Sequence, residues 1–175
     1  MLPSIPLRFD SVDLVGLASS TVEPLEREAR RLDVTLTVRG PPNLELVRVD
    51  PEKTAWVIAT LVGNALRYVR HGSWRLPGGE IAVRIRRDDE TKGVTVSVED
   101  DGPGIPADKL PYLFSRRAGS QLAMGLGLFL VKDIVEAHGG SVSVESHSDP
   151  DAHGTKVRVT LPATGAEGSL AETPT

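Results

Sequence analysis

The sequence contains no cysteine and has no surplus of basic residues. Without thiols it can form neither disulfides nor thiolate metal sites, and a reducing compartment is compatible with that composition. Lysine and arginine number 20 against 24 aspartates and glutamates, a net charge of -4 that argues against a nucleic-acid partner. No apolar run approaches bilayer-spanning length, and the N-terminus lacks a signal-peptide pattern. We therefore expect a soluble, cytoplasmic segment without membrane contact, whether or not its parent protein is membrane-anchored.

The length of 175 residues suits one domain with a single substantial core. Helical periodicity predicts three main helices, at about 12–32, 51–70 and 126–138. Alternation of apolar and polar residues predicts strands around 34–38, 81–85, 94–98, 142–144 and 157–161. We expect residues 1–11 to be a lead-in from a missing preceding domain, 12–162 to be the folded domain, and 163–175 to be a disordered tail. Within the domain, residues 106–124 have few apolar anchors and are typical of a long loop or lid.

The predicted strands carry polar residues on their second face. These are Thr35, Thr37, Arg84, Arg86, Thr95, Ser97, Ser141, Ser143, Arg158 and Thr160. A sheet covered by helices on both sides would be apolar on both faces. The pattern therefore predicts a two-layer α/β sandwich, in which a mixed sheet packs its three main helices on one face.

The second predicted helix has a polar side that can bind a charged ligand. Asn64, Arg67 and Tyr68 are three or four residues apart, opposite the apolar stripe. An asparagine oxygen suits Mg²⁺, which takes one or two protein oxygens plus substrate phosphates. An arginine can meet a phosphate, and a tyrosine ring can lie against a base. An ordinary solvated helix face explains the same residues.

A carboxylate and two glycines follow the predicted strand 94–98, as Asp100, Gly102 and Gly104. An ionised carboxylate only accepts hydrogen bonds, so it can bind the exocyclic amine of adenine. Guanine has a carbonyl in that position and is repelled. The glycines let the backbone approach a purine, and Ile105 supplies an apolar wall. The alternative is an acidic Gly-Pro turn without a ligand.

Gly125 and Gly127 begin the third predicted helix, where unpaired N–H groups and the helix dipole favour a phosphate. Close packing of the helix start against a strand is the alternative.

The four histidines are interpreted as structural. His138, at a helix end, is explained by dipole stabilisation or solvent exposure, and Trp56 and Trp74 are expected to be packing residues.

Taken in order, five motifs resemble the catalytic and ATP-binding domain of sensor histidine kinases, in the GHKL superfamily with its Bergerat fold. They are Asn64-Ala65-Leu66-Arg67-Tyr68, Asp100-x-Gly102-x-Gly104-Ile105, Leu113-Phe114, Gly125-Leu126-Gly127-Leu128 and Gly154-Thr155. The resemblance covers about Phe9 to Pro162. It implies that 12–162 is a kinase catalytic domain and that 106–124 is its ATP lid.

The resemblance also implies roles for individual residues. Asn64 would coordinate Mg²⁺, Arg67 would contact phosphate and Tyr68 would pack near the adenine. Asp100 would accept a hydrogen bond from the adenine amine with help from Thr155, beside Gly102, Gly104 and Ile105. The phosphate cradle would be the run Gly125, Leu126, Gly127 and Leu128. Phe114 would anchor the lid, and Arg116 or Arg117 would reach the phosphates, so that the catalytic residues are Asn64, Arg67, Arg116 and Arg117.

The implied activity is transfer of the ATP γ-phosphoryl group to a histidine on a separate dimerisation domain, upstream of a response regulator. We expect the isolated chain to be a monomer. Three departures from the family pattern, at Thr60, Arg117 and Ala123, leave two alternatives open. One is a nucleotide-binding regulatory module of the same fold with weakened catalysis. The other is a GHKL ATPase, which Thr60 disfavours because those enzymes place a glutamate there to activate water and threonine cannot serve as that base.

Overall fold

Two packed layers make up the described part of the chain, residues 5–115 and 127–162 of a computed structural model. Its α-helices are α1, Leu14–Arg31, α2, Pro51–Tyr68, and α3, Leu128–Ala137. Its strands are β1, Asp10–Val12, β2, Thr35–Arg39, β3, Val47–Val49, β4, Glu80–Asp88, β5, Gly93–Asp100, β6, Ser141–Asp149, and β7, Ala152–Leu161. The predicted α/β sandwich with three main helices is confirmed, although β6 and β7 are longer than the sequence indicated.

The main sheet is mixed and has the strand order β2-β4-β5-β7-β6. Strands β2 and β4 are parallel, and the other neighbours are antiparallel. Inward residues of the sheet share a hydrophobic core with buried residues of all three helices. The opposite face is polar, as the alternation predicted, and it carries ion pairs such as Lys156–Glu99 at 3.0 Å. Among the described helices, none has both the length and the apolar character that a membrane crossing requires.

Helix α2 positions much of the candidate site. Its N-cap is Asp50, which accepts a hydrogen bond from the Lys53 N–H at 3.0 Å, and Pro51 occupies the first turn without losing a helical hydrogen bond. Its buried residues recur at helical spacing: Thr54, Val57, Ile58, Leu61, Val62, Ala65 and Leu66. This stripe fixes the rotation of the helix about its axis. Asn64 and Tyr68, four residues apart, therefore face the same side.

A second, two-stranded sheet was missed by the sequence analysis. Strand β1 pairs antiparallel with β3, with Ser11 opposite Arg48. Just before β1, the Arg8 N–H donates to Asp50 Oδ2 at 2.8 Å, and the Phe9 ring packs edge-on against His138, with centroids 5.5 Å apart. Residues 8–12 therefore pack on the domain that was expected to start at residue 12. Three-residue strands are too short for alternation to reveal, which is why the pairing was not predicted.

His138 is buried, so the expected solvent exposure of this residue is wrong. Its side chain is 2% exposed at the C-terminal end of α3. The Asp50 N–H donates to Nε2 at 3.0 Å, and Nδ1 donates to the Ile134 carbonyl at 2.8 Å. Because Nε2 accepts from a backbone N–H, the ring is neutral with its proton on Nδ1. His138 thus links the end of α3 to the start of α2.

Asp50→Asn should destabilise the protein at pH 7 by about 2 kcal/mol. Burial alone raises the pKa of Asp50, but hydrogen bonds from the Arg8 and Lys53 N–H groups and the Lys53 ammonium outweigh it and lower the pKa to about 2. The folded pKa lies below the unfolded value, so this stabilisation is present above the unfolded pKa of 3.8 and is lost as the pH falls through about 2.

Chemical denaturation of Asp50→Asn and of the parent sequence between pH 2 and 7 measures this contribution. The difference between the two unfolding free energies should shrink as the pH falls below 4. Asp10→Asn, at an exposed position, is the control and should cost little at any pH. A difference for Asp50→Asn that stays constant down to pH 2 would contradict the assignment.

Candidate functional site

A cavity of ≈ 280 Å³ lies between α2, the ends of β5 and β7, and the start of α3. Elements far apart in the sequence contribute to its lining. The predicted site residues that line it are Asn64, Tyr68, Asp100, Gly104, Ile105, Leu128 and Thr155. Because Leu113 also lines it, the structure brings together at least one residue from each of the five motifs.

Asp100 is the last residue of β5, and the sheet register sets its neighbours. Asp100 lies opposite Thr155 of β7, which in turn lies opposite Ser146 of β6. Asp100 Oδ1 accepts a hydrogen bond from the Gly102 N–H at 2.8 Å. Burial raises the pKa of Asp100, and the neighbouring Asp101 adds to that rise, while the backbone N–H groups of Gly102 and Thr155 oppose it. The result is a half-buried acceptor at the wall of an otherwise largely apolar cavity.

Apolar side chains form most of the remaining wall. Ile105 was predicted there; Leu61, Ala65, Val98, Leu113 and Val157 were not. The alternation of the strands could have identified two of them, because Val98 and Val157 are each two residues from a predicted site residue and share its face. A mostly apolar cavity with an acceptor at its wall suits a heteroaromatic ring that carries a hydrogen-bond donor.

Asn64 offers a polar side chain to this cavity. Its amide nitrogen is buried and has no hydrogen-bond partner among the described residues. A half turn about the last side-chain bond exchanges the nitrogen with the amide oxygen, so the position can present a neutral oxygen. The described residues contain no group of three His, Cys, Asp or Glu side chains able to hold a metal. A cation here would therefore take most of its ligands from a bound substrate, which is the habit of Mg²⁺ with phosphates.

Two glycines of the site adopt a left-handed backbone. Gly104 has φ +75°, and a Cβ there would overlap the carbonyl oxygen of His147 in β6. Gly127, the N-cap of α3, has φ +93°, and a Cβ there would lie 3.2 Å from Thr60 Cγ2 and 3.3 Å from Trp56 Cη2. The start of α3 is therefore close-packed against α2, and not against a strand as the alternative interpretation proposed.

Of the two tryptophans expected to be packing residues, Trp74 is largely exposed, whereas Trp56 packs against the start of α3. Trp74 is 87% exposed in the segment between α2 and β4, and Trp56 is 39% exposed. The Arg75 guanidinium lies 4.3 Å from the centroid of the Trp74 ring. Trp56, one turn before Thr60 on α2, contacts the start of α3 instead of the core.

Four predicted site residues in the described part of the chain lie outside the cavity lining: Arg67, Gly102, Phe114 and Gly127. Arg67 is exposed, with its guanidinium 5.8 Å from the centroid of the Tyr68 ring. Phe114 packs at the margin of the core, and its neighbour Leu113 lines the cavity instead. Gly102 contributes its N–H to Asp100, and its carbonyl accepts a hydrogen bond from His153 Nδ1 at 2.8 Å.

The predicted lid is described only in part. Pro106 and Leu113 line the cavity, and a short 3₁₀ helix, Leu110–Tyr112, lies between them. Arg116, Arg117, Gly125 and Leu126, which were predicted to contact the phosphates, lie outside the described residues. The same holds for Ala123 and for the predicted disordered tail, residues 163–175.

Sequence reasoning missed one polar residue that supports the site, Ser146. Its hydroxyl contacts the Ile105 N–H at 2.8 Å, Thr155 Oγ1 at 2.8 Å and the Gly154 carbonyl at 3.0 Å. No local pattern marks this serine, because its importance comes from the register of β6 against β7.

Comparisons with known proteins agree with the motifs. A family model described as "Histidine kinase-, DNA gyrase B-, and HSP90-like ATPase" matches residues 49–165. Sensor protein SphS of Synechococcus elongatus is 32% identical over 173 residues, which is 91% of this chain and 39% of that protein. Sensor histidine kinase ZraS of Klebsiella oxytoca is 31% identical over 80% of this chain and 29% of its own length. The chain thus spans well under half the length of these relatives.

Solved structures agree in the same way. The mycobacterial sensor histidine kinase MprB is 29% identical, with a TM-score of 0.71 over 90% of this chain and 99% of that one. The catalytic domain of histidine kinase ThkA has a TM-score of 0.75 over 90% of this chain and 97% of that one. At 24% identity the second likeness supports the fold alone.

Proposed function

Because the chain belongs to the family of histidine kinase-, DNA gyrase B- and HSP90-like ATPases, we propose that it is the catalytic domain of a two-component sensor kinase that phosphorylates a histidine of its partner domain. The observation that carries the proposal is the placement of Asp100 at the wall of a mostly apolar cavity, which Thr155, its partner across the sheet, and Asn64 of α2 also line. A downstream response regulator and a cytoplasmic location belong to the same proposal.

The cavity selects adenine through Asp100. The purine lies against the apolar wall, with Ile105 and the ring of Tyr68 beside it, and its exocyclic amine donates to the Asp100 carboxylate. Thr155 lies directly across the sheet from Asp100 and takes part in the same recognition. A purine with a carbonyl in place of the amine would set two acceptors against each other, and binding would weaken.

The triphosphate leaves the cavity towards the start of α3. There the N-terminus of α3 begins at Gly127, and the positive end of the helix dipole favours an anion. Asn64 fits the role of Mg²⁺ ligand because it lines the cavity and its amide nitrogen has no hydrogen-bond partner in the described part of the chain. When bound, Mg²⁺ neutralises charge on the phosphate oxygens. By position, Arg67, Arg116 and Arg117 are proposed to contact the phosphates, and Gly125, Leu126 and Leu128 to complete the phosphate cradle, with Phe114 as the lid anchor.

Phosphoryl transfer to a protein is favoured over ATP hydrolysis because α2 has no carboxylate at position 60, one turn before Asn64. The residue there is Thr60, and a threonine hydroxyl does not act as a base at neutral pH. In the proposed reaction the bond from the γ-phosphorus to the bridging oxygen breaks, and a bond to the acceptor histidine nitrogen forms. ADP leaves, and the proton on the other ring nitrogen of that histidine passes to a base of the acceptor domain. This chain contributes positioning and charge neutralisation.

The experiment combines the chain, γ-labelled ATP and Mg²⁺ with the dimerisation domain of the parent protein. We expect acid-labile, base-stable label on that domain, and none when its histidine is replaced by glutamine. ATP binding without labelled histidine would favour the regulatory module with weakened catalysis. Steady phosphate release by the chain alone would favour an ATPase.

Asn64→Leu should remove the contribution of Mg²⁺ to ATP binding while it leaves the cavity filled. Leucine matches asparagine in size but has no ligand oxygen, so we expect the Mg²⁺ enhancement of ATP affinity to fall by about tenfold, or ~1.4 kcal/mol. Calorimetric titrations with and without Mg²⁺ measure it, and the Mg²⁺-free affinity is the internal control. An undiminished Mg²⁺ enhancement would remove Asn64 from the metal site.

A further inference from the structure

The hydroxyl of Ser146 joins three parts of the candidate site. It lies on β6, on the same cross-strand row as Thr155 and Asp100. Its oxygen is 2.8 Å from the Ile105 nitrogen, in the turn that follows Asp100, and 2.8 Å from Thr155 Oγ1. It is also 3.0 Å from the carbonyl oxygen of Gly154. One side chain thus contacts the turn, the neighbouring strand and the hydroxyl that lines the cavity.

The available hydrogens decide which atom donates in each contact. The Ile105 N–H is a donor only, so Ser146 Oγ accepts there, and the Gly154 carbonyl is an acceptor only. Ser146 has a single hydroxyl hydrogen. If it donates to Gly154, Thr155 supplies the hydrogen for the third contact, and all three contacts are hydrogen bonds.

The reverse arrangement leaves one contact unsatisfied. If Ser146 donated to Thr155, its oxygen and the Gly154 carbonyl oxygen would face each other at 3.0 Å with no hydrogen between them. Two acceptors that face each other at that distance repel, which disfavours this arrangement. The arrangement in which Thr155 donates to Ser146 is therefore the stable one.

We propose that Ser146 fixes the Thr155 hydroxyl as a hydrogen-bond acceptor towards the cavity, and that it is thereby a specificity-determining positioning residue for the purine. Because the Thr155 hydroxyl donates its hydrogen to Ser146, its oxygen can only accept a hydrogen bond from a ligand. Adenine carries two hydrogens on its exocyclic amine, and Asp100 and Thr155 can accept one each, directly or through a water. This inference rests on the proposed function and names a determinant of its substrate class.

The consequence is that two acceptors, and not one, reject a 6-oxo purine. The oxygen of hypoxanthine or guanine would face both the Asp100 carboxylate and the lone pairs of Thr155. Without Ser146, the Thr155 hydroxyl is free to rotate and to donate its hydrogen to that oxygen. The position of Ser146 away from the cavity lining means that it acts through Thr155 and not by touching the ligand.

The experiment titrates ATP and inosine triphosphate into the parent sequence and into Ser146→Ala. We expect the preference for ATP to fall by about tenfold in the variant, because the rotating Thr155 hydroxyl can donate to inosine triphosphate and is no longer fixed as an acceptor for ATP. Ser146→Thr keeps a hydroxyl and should restore the preference. Ser143→Ala removes an exposed serine on the opposite face of β6 and should change nothing. If the alanine variant does not fold, the nearly isosteric Ser146→Cys, a much weaker hydrogen-bonding group, should show the same loss.

The outcomes separate this inference from the proposed function. Equal weakening of both nucleotides in Ser146→Ala, with the preference intact, would mean that Ser146 only holds the Ile105 turn, and would overturn the inference alone. A parent sequence that binds neither nucleotide, or both equally, would overturn the proposed function and the inference together. Thr155→Val should lower the preference as Ser146→Ala does, and the double variant should lower it no further. Additive losses would also overturn the inference.

Discussion

Asp100→Asn should weaken ATP binding by about 100-fold at neutral pH, a loss of ~3 kcal/mol. The substitution keeps the shape of the side chain but removes its charge, and it sets a donating NH₂ group beside the amine of adenine. The cavity offers no other carboxylate in its lining among the described residues, so no neighbour can replace the acceptor. The measurement is a calorimetric titration of ATP into the folded variant.

The same substitution should make the free protein more stable at pH 7. The pKa of Asp100 is raised in the folded state, by burial and by Asp101. A raised pKa means that the stability contributed by this carboxyl is present below its unfolded pKa and is lost as the pH rises through the folded value. At neutral pH the ionised carboxylate therefore destabilises the unliganded fold, and an asparagine avoids that cost. Stability and ATP binding should change in opposite directions.

Asp101→Asn is the matched control for this pair of measurements. Asp101 is the next residue, is exposed, and accepts the Glu80 N–H at 2.8 Å. Its loss should affect ATP affinity little. If Asp100→Asn bound ATP as tightly as the parent sequence, the Asp100 carboxylate would not be the acceptor for the exocyclic amine of adenine.

Gly104→Ala should damage both the fold and nucleotide binding. The position has φ +75°, which costs an L-residue about 1 kcal/mol or more, and the added methyl would overlap the His147 carbonyl of β6. The turn must then move away from β6, which breaks the hydrogen bond from the Ile105 N–H to Ser146. We expect a loss of about 2–3 kcal/mol in the free energy of unfolding and at least tenfold weaker ATP binding.

Gly63→Ala provides the comparison, because it adds the same methyl to α2 where no atom lies within 4 Å. In a helix interior that change should be neutral or stabilising. Chemical denaturation and ATP titration of both variants measure the contrast. If Gly104→Ala were as stable as Gly63→Ala, the close approach of the turn to β6 would be wrong.

The parts of the site that could be predicted from sequence are those whose chemistry is local. Asp100 and Gly104 lie within one turn, directly after a strand whose alternation is clear, so their proximity needs no long-range information. Asn64 and Tyr68 share a helix side that the apolar stripe of α2 determines. These motifs, in order, were sufficient to identify the fold and the family.

The parts that could not be predicted depend on pairing across long stretches of chain. Ser146 matters because β6 pairs with β7 in one register, and a shift of one residue would turn its hydroxyl to the other face. The buried His138 accepts a hydrogen bond from the Asp50 N–H, 88 residues away in the sequence. The exposure of Trp74 likewise depends on which segments pack over it in the folded protein, and the amino-acid composition does not predict that.

We propose that Asp100 selects a purine by its exocyclic amine, in a cavity that Leu128 at the start of α3 also lines. The most direct test is a calorimetric titration of the chain with ATP and with GTP, in the presence of Mg²⁺. We predict that ATP binds and that GTP binds at least about tenfold more weakly. Equal affinities for the two nucleotides, or no binding of either, would contradict the account.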